Sequence, residues 1–169
     1  LLLLLTNCRP EEPPQCRYTF DTFPGGVPFD NDTPDPAGTW QLLNGDEFSE
    51  WGFLVDSAPI SGCAIVKTSY YSSTNNYLTL LEGSDCASAN RIKITFHEPV
   101  RQVTLSFSGA SLPYVMEVYD ENDTLLGAPT QEAVFDPEGT LFDVSFRSDS
   151  TNISHIRFGY LGTKVAVVA

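Results

Sequence analysis

Between Arg91 and Gly127 apolar and polar residues alternate in three successive runs. Ile92, Ile94 and Phe96 interleave with Lys93 and Thr95; Val103, Leu105 and Phe107 interleave with Thr104 and Ser106; Tyr114 to Tyr119 forms the third run. A period of two puts one face of each run in the core and the other in water, which predicts half-buried strands. His97-Glu98-Pro99 reads as the turn between the first two, because Pro99 fixes its own φ and pushes Glu98 out of the helical region. Asp120-Glu121-Asn122-Asp123 reads as a turn after the third, since such side chains bond their own backbone and accept left-handed conformations. The three runs together predict an antiparallel meander.

The same reading extends in both directions. Residues 9 to 15 form a proline-rich, charged tether, and Arg17 to Asp21 is the expected first strand. From Thr22 to Gly38, Pro24, Pro28, Pro34 and Pro36 exclude a helix or a central strand, leaving a long loop that carries Asp30, Asp32 and Asp35. Further strands are expected at Trp40 to Leu43, followed by a reversal at Asn44-Gly45, and at Phe48 to Val55, where Gly52 marks a bulge or a close backbone approach. Others are expected at Ala64 to Tyr71, Tyr77 to Leu81, Gln131 to Phe135, Thr140 to Arg147, Asn152 to Tyr160 and Lys164 to Val168. No segment repeats apolar residues at helical spacing over a dozen positions. About ten short strands imply an all-β domain of two packed sheets or a barrel. The expected core holds Ile92, Ile94, Phe96, Val103, Leu105, Phe107, Val118, Val144, Phe146, Ile156 and Phe158.

Composition narrows the partners. The 169 residues suffice for one domain, and a formal net charge of -13 disfavours nucleic acid. The acidity serves solubility, or it gathers a hard cation such as calcium on Asp30, Asp32 and Asp35. Leu1 to Leu5 reads as the tail of an export signal, so residues 1–15 are expected to be a signal remnant plus tether and 16–169 the folded domain. Leu5-Thr6-Asn7-Cys8 resembles a bacterial lipobox, which implies a lipid on Cys8 as the only membrane contact, although Asn7 departs from the usual small residue. An ordinary secreted protein and a cloning remnant are the alternatives. The cysteines are Cys8, Cys16, Cys63 and Cys86. They fit an oxidising compartment, and without a CxxC pair they do not form a zinc site. Cys63 and Cys86 flank one strand-rich segment and are the expected disulfide.

The order of several pieces resembles exported bacterial β-sandwich domains of the PEP-CTERM and choice-of-anchor type, which are similar to jelly-roll carbohydrate-binding modules. The pieces are Phe20-Asp21, Glu47 to Phe53, Ile94 to Val100 with Val103 to Phe107, and Tyr119-Asp120 followed by Leu125-Leu126-Gly127. They cover most of residues 17 to 160. The resemblance implies a single antiparallel β-sandwich, jelly-roll-like, in an extracytoplasmic protein that binds glycan.

Candidate chemistry is sparse. Of two histidines, His97 falls in the expected turn, and His155 is out of phase with Ile156 and Phe158 and so faces outward. No nucleophile elbow, no His-Glu-x-x-His and no phosphate loop is present. Glu47, Glu50, Glu82, Glu98, Glu117 and Asp143 leave a paired-carboxylate glycan hydrolase as an alternative. Trp40 beside the acidic loop and the adjacent Tyr70 and Tyr71 are the candidate ligand platform, unless they fill the core. The expectation is a non-catalytic module that binds glycan or a cell-surface protein. A structural or adhesive protein of a surface or matrix assembly is the rival from another class.

Overall fold

Ile92, Ile94 and Phe96 are buried while Arg91, Lys93 and Thr95 are half-exposed, so the period-2 pattern translates directly into a strand with one face inward. The computed structural model of the chain describes residues 2–6, 15–19, 23–26, 34–35, 38–68, 76–80, 85–108, 113–132 and 141–161. Among them the fold is all-β, in antiparallel sheets, with two 3-10 turns as the helical pieces.

The largest sheet holds β5 (Phe53–Ala58), β8 (Arg91–Val100), β14 (Ile153–Tyr160), β10 (Tyr114–Tyr119) and β11 (Leu125–Gly127) in that spatial order, with β12 (Thr130–Gln131) also on β10. A second sheet orders β13 (Leu141–Arg147), β9 (Gln102–Ser108), β1 (Leu2–Thr6) and β2 (Gln15–Thr19). A third orders β3 (Pro34–Asp35), β4 (Gly38–Leu42), β6 (Ala64–Thr68) and β7 (Asn76–Leu80). The leucine run thus pairs as β1 between β2 and β9.

One buried cluster draws on all three sheets. Phe53, Val55, Ile94, Met116, Ile156 and Phe158 come from the largest, Val103, Leu105 and Val144 from the second, and Ala64, Leu78 and Leu80 from the third. Phe48 lies at its end, stacked on Phe53 at 5.6 Å between ring centres and tilted against Trp51 at 5.5 Å and Phe23 at 5.7 Å. Removing such a ring leaves a cavity that the surrounding rings cannot fill, so Phe48→Ala costs about 3–5 kcal/mol. Among the expected core residues, Phe146 is only partly buried, and the side chain of Phe107 lies outside the described residues.

Four expectations need correction. The runs β8, β9 and β10 are not a meander: β9 pairs with β1 and β13, while β8 and β10 flank β14. Alternation reports that one face is buried, which holds for a strand in any of the sheets. His97-Glu98-Pro99 is no turn either, because β8 runs through it to Val100. Thr95 pairs with His155 and Val100 with Ile153, so Phe96 to Pro99 oppose the single residue Ser154. Pro99, which has no N–H, falls in that break of the ladder. Phe48 to Val55 is not one strand: Ser49–Trp51 is a 3-10 turn ended by Gly52 at φ 88°, a left-handed conformation that suits glycine, and β5 starts at Phe53. Asn44-Gly45 does not close a hairpin, since β4 and β5 lie in different sheets. Here the Glu47 carboxylate accepts hydrogen bonds from the Asn44 and Gly45 N–H groups and shapes a wider corner.

Two expectations hold. Asp120 to Thr124 is the turn between β10 and β11, with Asp120 Oδ1 accepting from the Asn122 and Thr124 N–H groups and Asp123 at φ 57°. Cys63 and Cys86 form a disulfide with a Cα–Cα distance of 5.8 Å, both side chains in the core cluster. Lys164 to Val168 and most of Gln131 to Phe135 lie outside the described residues.

Candidate functional site

The outer face of the largest sheet is polar and is laid out by strand register. One row across it reads Tyr119, His155, Thr95 and Leu54, on β10, β14, β8 and β5; the next reads Glu117, Arg157, Lys93 and Asp56. Arg91, Lys93 and Arg157, three of the chain's nine basic residues, gather on this face although the chain as a whole is strongly acidic.

A cleft of about 510 Å³ opens over the β14, β8 and β5 part of the face. Its floor is Arg157, Lys93, Thr95, Leu54 and Asp56; one wall is Asn44 and Gly45 from the corner after β4, and the other is the loop after β5 that carries Pro59 and Ser61. Both walls are pinned. Glu47 holds the Asn44 corner, as described above. Asp56 Oδ1 accepts from the Ser57 and Gly62 N–H groups, each at 2.7 Å, and Ser57 Oγ accepts from the Cys63 N–H at 2.9 Å while donating to the Ile60 carbonyl. The Cys63–Cys86 disulfide anchors the end of that loop, so the cleft has fixed walls on a rigid sheet.

The charges on the floor are unequally satisfied. Arg157 donates to Asp123 Oδ1 at 3.0 Å and sits over the Tyr119 ring, 4.6 Å from its centre, which places its cation on the negative face of the aromatic system. Lys93, between Arg157 and Asp56, has no ion pair or hydrogen bond to its ammonium among the described residues. Arg91 crosses toward β10, with Nη2 3.8 Å from Glu117 Oε1, and its stem runs over Gly159, where an added Cβ would stand 3.1 Å from Arg91 Cδ and 2.7 Å from the Asn90 carbonyl.

His155 shares the face with the cleft but is only 5% exposed. The Tyr119 ring stacks on it at 4.8 Å with planes 6° apart, so facing outward here does not mean meeting water. Its Nε2 lies 3.2 Å from Asp123 Oδ1 at an angle too oblique for a hydrogen bond, leaving an electrostatic contact. Burial, and then the cations of Lys93 and Arg157, hold its pKa below the usual histidine value; Asp123 and Asp120 oppose them and lose. The imidazole is therefore a neutral spacer at pH 7.

The candidate carboxylates are scattered, and three of them are engaged. Glu47 binds backbone N–H groups, Glu117 accepts from Tyr119 Oη at 3.1 Å, and Asp143, on β13 of the second sheet, accepts from Ser106 Oγ. Glu50 and Glu98 are exposed, and Glu82 lies outside the described residues. Ser49 Oγ and His97 Nε2 approach to 3.5 Å in an exposed corner, with no carboxylate among the described residues bonded to the ring to orient it as a base.

Of the expected ligand residues, Trp40 has its backbone in β4 opposite Lys67, with its side chain outside the described residues, as are Tyr70 and Tyr71. Asp30, Asp32 and Cys8 also lie outside them, and Asp35 contributes only its β3 backbone, opposite Gly38. Among the described residues no three His, Cys, Asp or Glu side chains are grouped to hold a metal. Lys93, Thr95, Asp56 and Arg157 were not singled out by the sequence. Each falls in the outward phase of a strand, a signal that becomes specific only once β8, β14 and β5 are known to be neighbours. No protein-family model, curated protein or solved structure matches the chain.

Proposed function

We propose that the chain is a non-catalytic binding module of an exported protein, a β-sandwich of jelly-roll type that takes a glycan or another cell-surface ligand in the cleft over β5, β8 and β14. The observation that carries this reading is the cleft itself: hydrogen-bonding and charged side chains at fixed register on a rigid sheet, between walls held by Glu47, Asp56, Ser57 and a disulfide. Binding sites of this kind combine a preformed concavity with a few placed polar groups. The reading moves the ligand from Trp40, Tyr70 and Tyr71 to the cleft. Calcium on the Asp30 to Asp35 segment is a separate part of the proposal, and its mark is a melting temperature that rises with calcium concentration.

A glycan array on the intact protein, with and without calcium, tests it together with Ser61→Trp, which fills the rim of the cleft from an exposed position. Binding that is abolished by Ser61→Trp and retained by Trp40→Ala supports the cleft. Binding lost in Trp40→Ala and kept in Ser61→Trp returns the site to the acidic loop, and no binding under any condition favours a structural role in a surface assembly.

A further inference from the structure

Resting on the cleft reading above, we propose that the ligand is an acidic glycan whose carboxylate or sulfate is received between Lys93 and Arg157. The two cations are direct cross-strand partners on β8 and β14. Like charges placed so repel and destabilise the sheet on their own. Arg157 finds relief in Asp123 and the Tyr119 ring on its far side. Lys93 has Asp56 as its other cross-strand neighbour, but Asp56 turns Oδ1 to two backbone N–H groups and forms no ion pair with the ammonium, so its attraction acts only from a distance. A cation without a direct ion pair beside a second cation, at the floor of a walled cleft, is the kind of local conflict that folds retain at functional sites. An anion entering there satisfies both charges, and Lys93 contributes a charge-assisted hydrogen bond.

The rest of the floor favours a sugar over an acidic peptide. Beyond Lys93 the row continues to Asp56, an acceptor for hydroxyl groups, with Thr95 and Asn44 beside it. At about 4.8 Å per strand the row from Arg157 to Asp56 spans roughly 10 Å, within reach of a short oligosaccharide. An acidic peptide would bring successive carboxylates toward Asp56 and be repelled. The ligand is therefore oriented, with its anion at β14 and its hydroxyl groups at β5. At physiological ionic strength screening beyond about 8 Å lets it respond to these near charges rather than to the net charge of the chain.

Calorimetric titration of the intact protein with a galactotriose ended by one galacturonic acid, a galactotriose ended by one sulfated galactose, neutral galactotriose and a triglutamate peptide tests the proposal, the two acidic sugars separating carboxylate from sulfate. An acidic trisaccharide is expected to bind more tightly than galactotriose, and Lys93→Met to weaken it at least about tenfold while Lys93→Arg largely retains it. Circular dichroism checks that each variant is folded. Equal binding of neutral and acidic sugars, both blocked by Ser61→Trp, would overturn the acidic preference and leave the cleft reading standing. Triglutamate binding as tightly as the sugars, or no binding by any of the four, overturns the proposal.

Discussion

Lys93 and Arg157 face each other across the β8–β14 ladder, two cations in register on one exposed sheet face, and only Arg157 is held by a carboxylate. Their repulsion is offset only in part by Asp56, the other cross-strand neighbour of Lys93, which forms no ion pair with it. Removing one member by Lys93→Met should leave the urea midpoint unchanged or raise it, by about 0.2–1 kcal/mol in unfolding free energy. A loss beyond 1 kcal/mol would show that Lys93 supports the fold instead.

His155 gives the folded protein a pH dependence of definite sign. Its pKa is lowered on folding, mainly by burial and then by Lys93 and Arg157, so the unfolded chain binds the proton more readily. The His155 contribution is complete above the unfolded value of roughly 6.5, declines as pH falls below it, and levels off below the depressed folded value. Melting temperatures from pH 7.5 down to 5 should fall more for the wild type than for His155→Gln. Parallel curves would contradict the assignment.

Gly159 lets Arg91 lie across the sheet to reach Glu117. A methyl group there would meet the Asn90 carbonyl at 2.7 Å, and backbone cannot swing aside as a side-chain end can. Gly159→Ala is expected to cost about 1–3 kcal/mol in urea unfolding. A neutral effect would mean that the Asn90 turn relaxes freely.

Replacing Cys63 and Cys86 together by Ala opens a loop of 23 residues and should cost on the order of 3 kcal/mol, read as a lower denaturation midpoint under non-reducing conditions. Because Cys63 also ends the loop held by Asp56 and Ser57, proteolysis near Ser61 should quicken as well. An unchanged midpoint would contradict a structural role for the bridge.

The inward faces of the strands were legible in the chain and their partners were not. Ile92, Ile94 and Phe96, and likewise Val103, Leu105 and Val144, are buried as their alternation demands, but Thr104 and Ser106, expected in water, are buried as well, bonded to Ser145 and Asp143 of β13. The same alternation is satisfied by β9 in the second sheet as by β9 beside β8, so the expected meander misplaced it. Turns whose side chains bond locally were readable, as at Asp120, because their determinants lie within five residues. The Asn44-Gly45 corner was not, since Glu47 competes for the same N–H groups. The cleft was hidden for a related reason: Asp56, Lys93 and Arg157 are far apart in sequence and meet only through the order β14, β8, β5. His155 shows the converse. Its outward phase was correct, and Tyr119 buries it all the same.

Nuclear magnetic resonance titration of the amide groups with the galactotriose ended by one galacturonic acid locates the ligand on the fold. Shifts are expected to concentrate at Asn44, Gly45, Asp56, Lys93, Thr95 and Arg157, on three adjacent strands and one wall. Shifts confined to the Trp40 strand or to the second sheet, with this set unmoved, would contradict a ligand in the cleft.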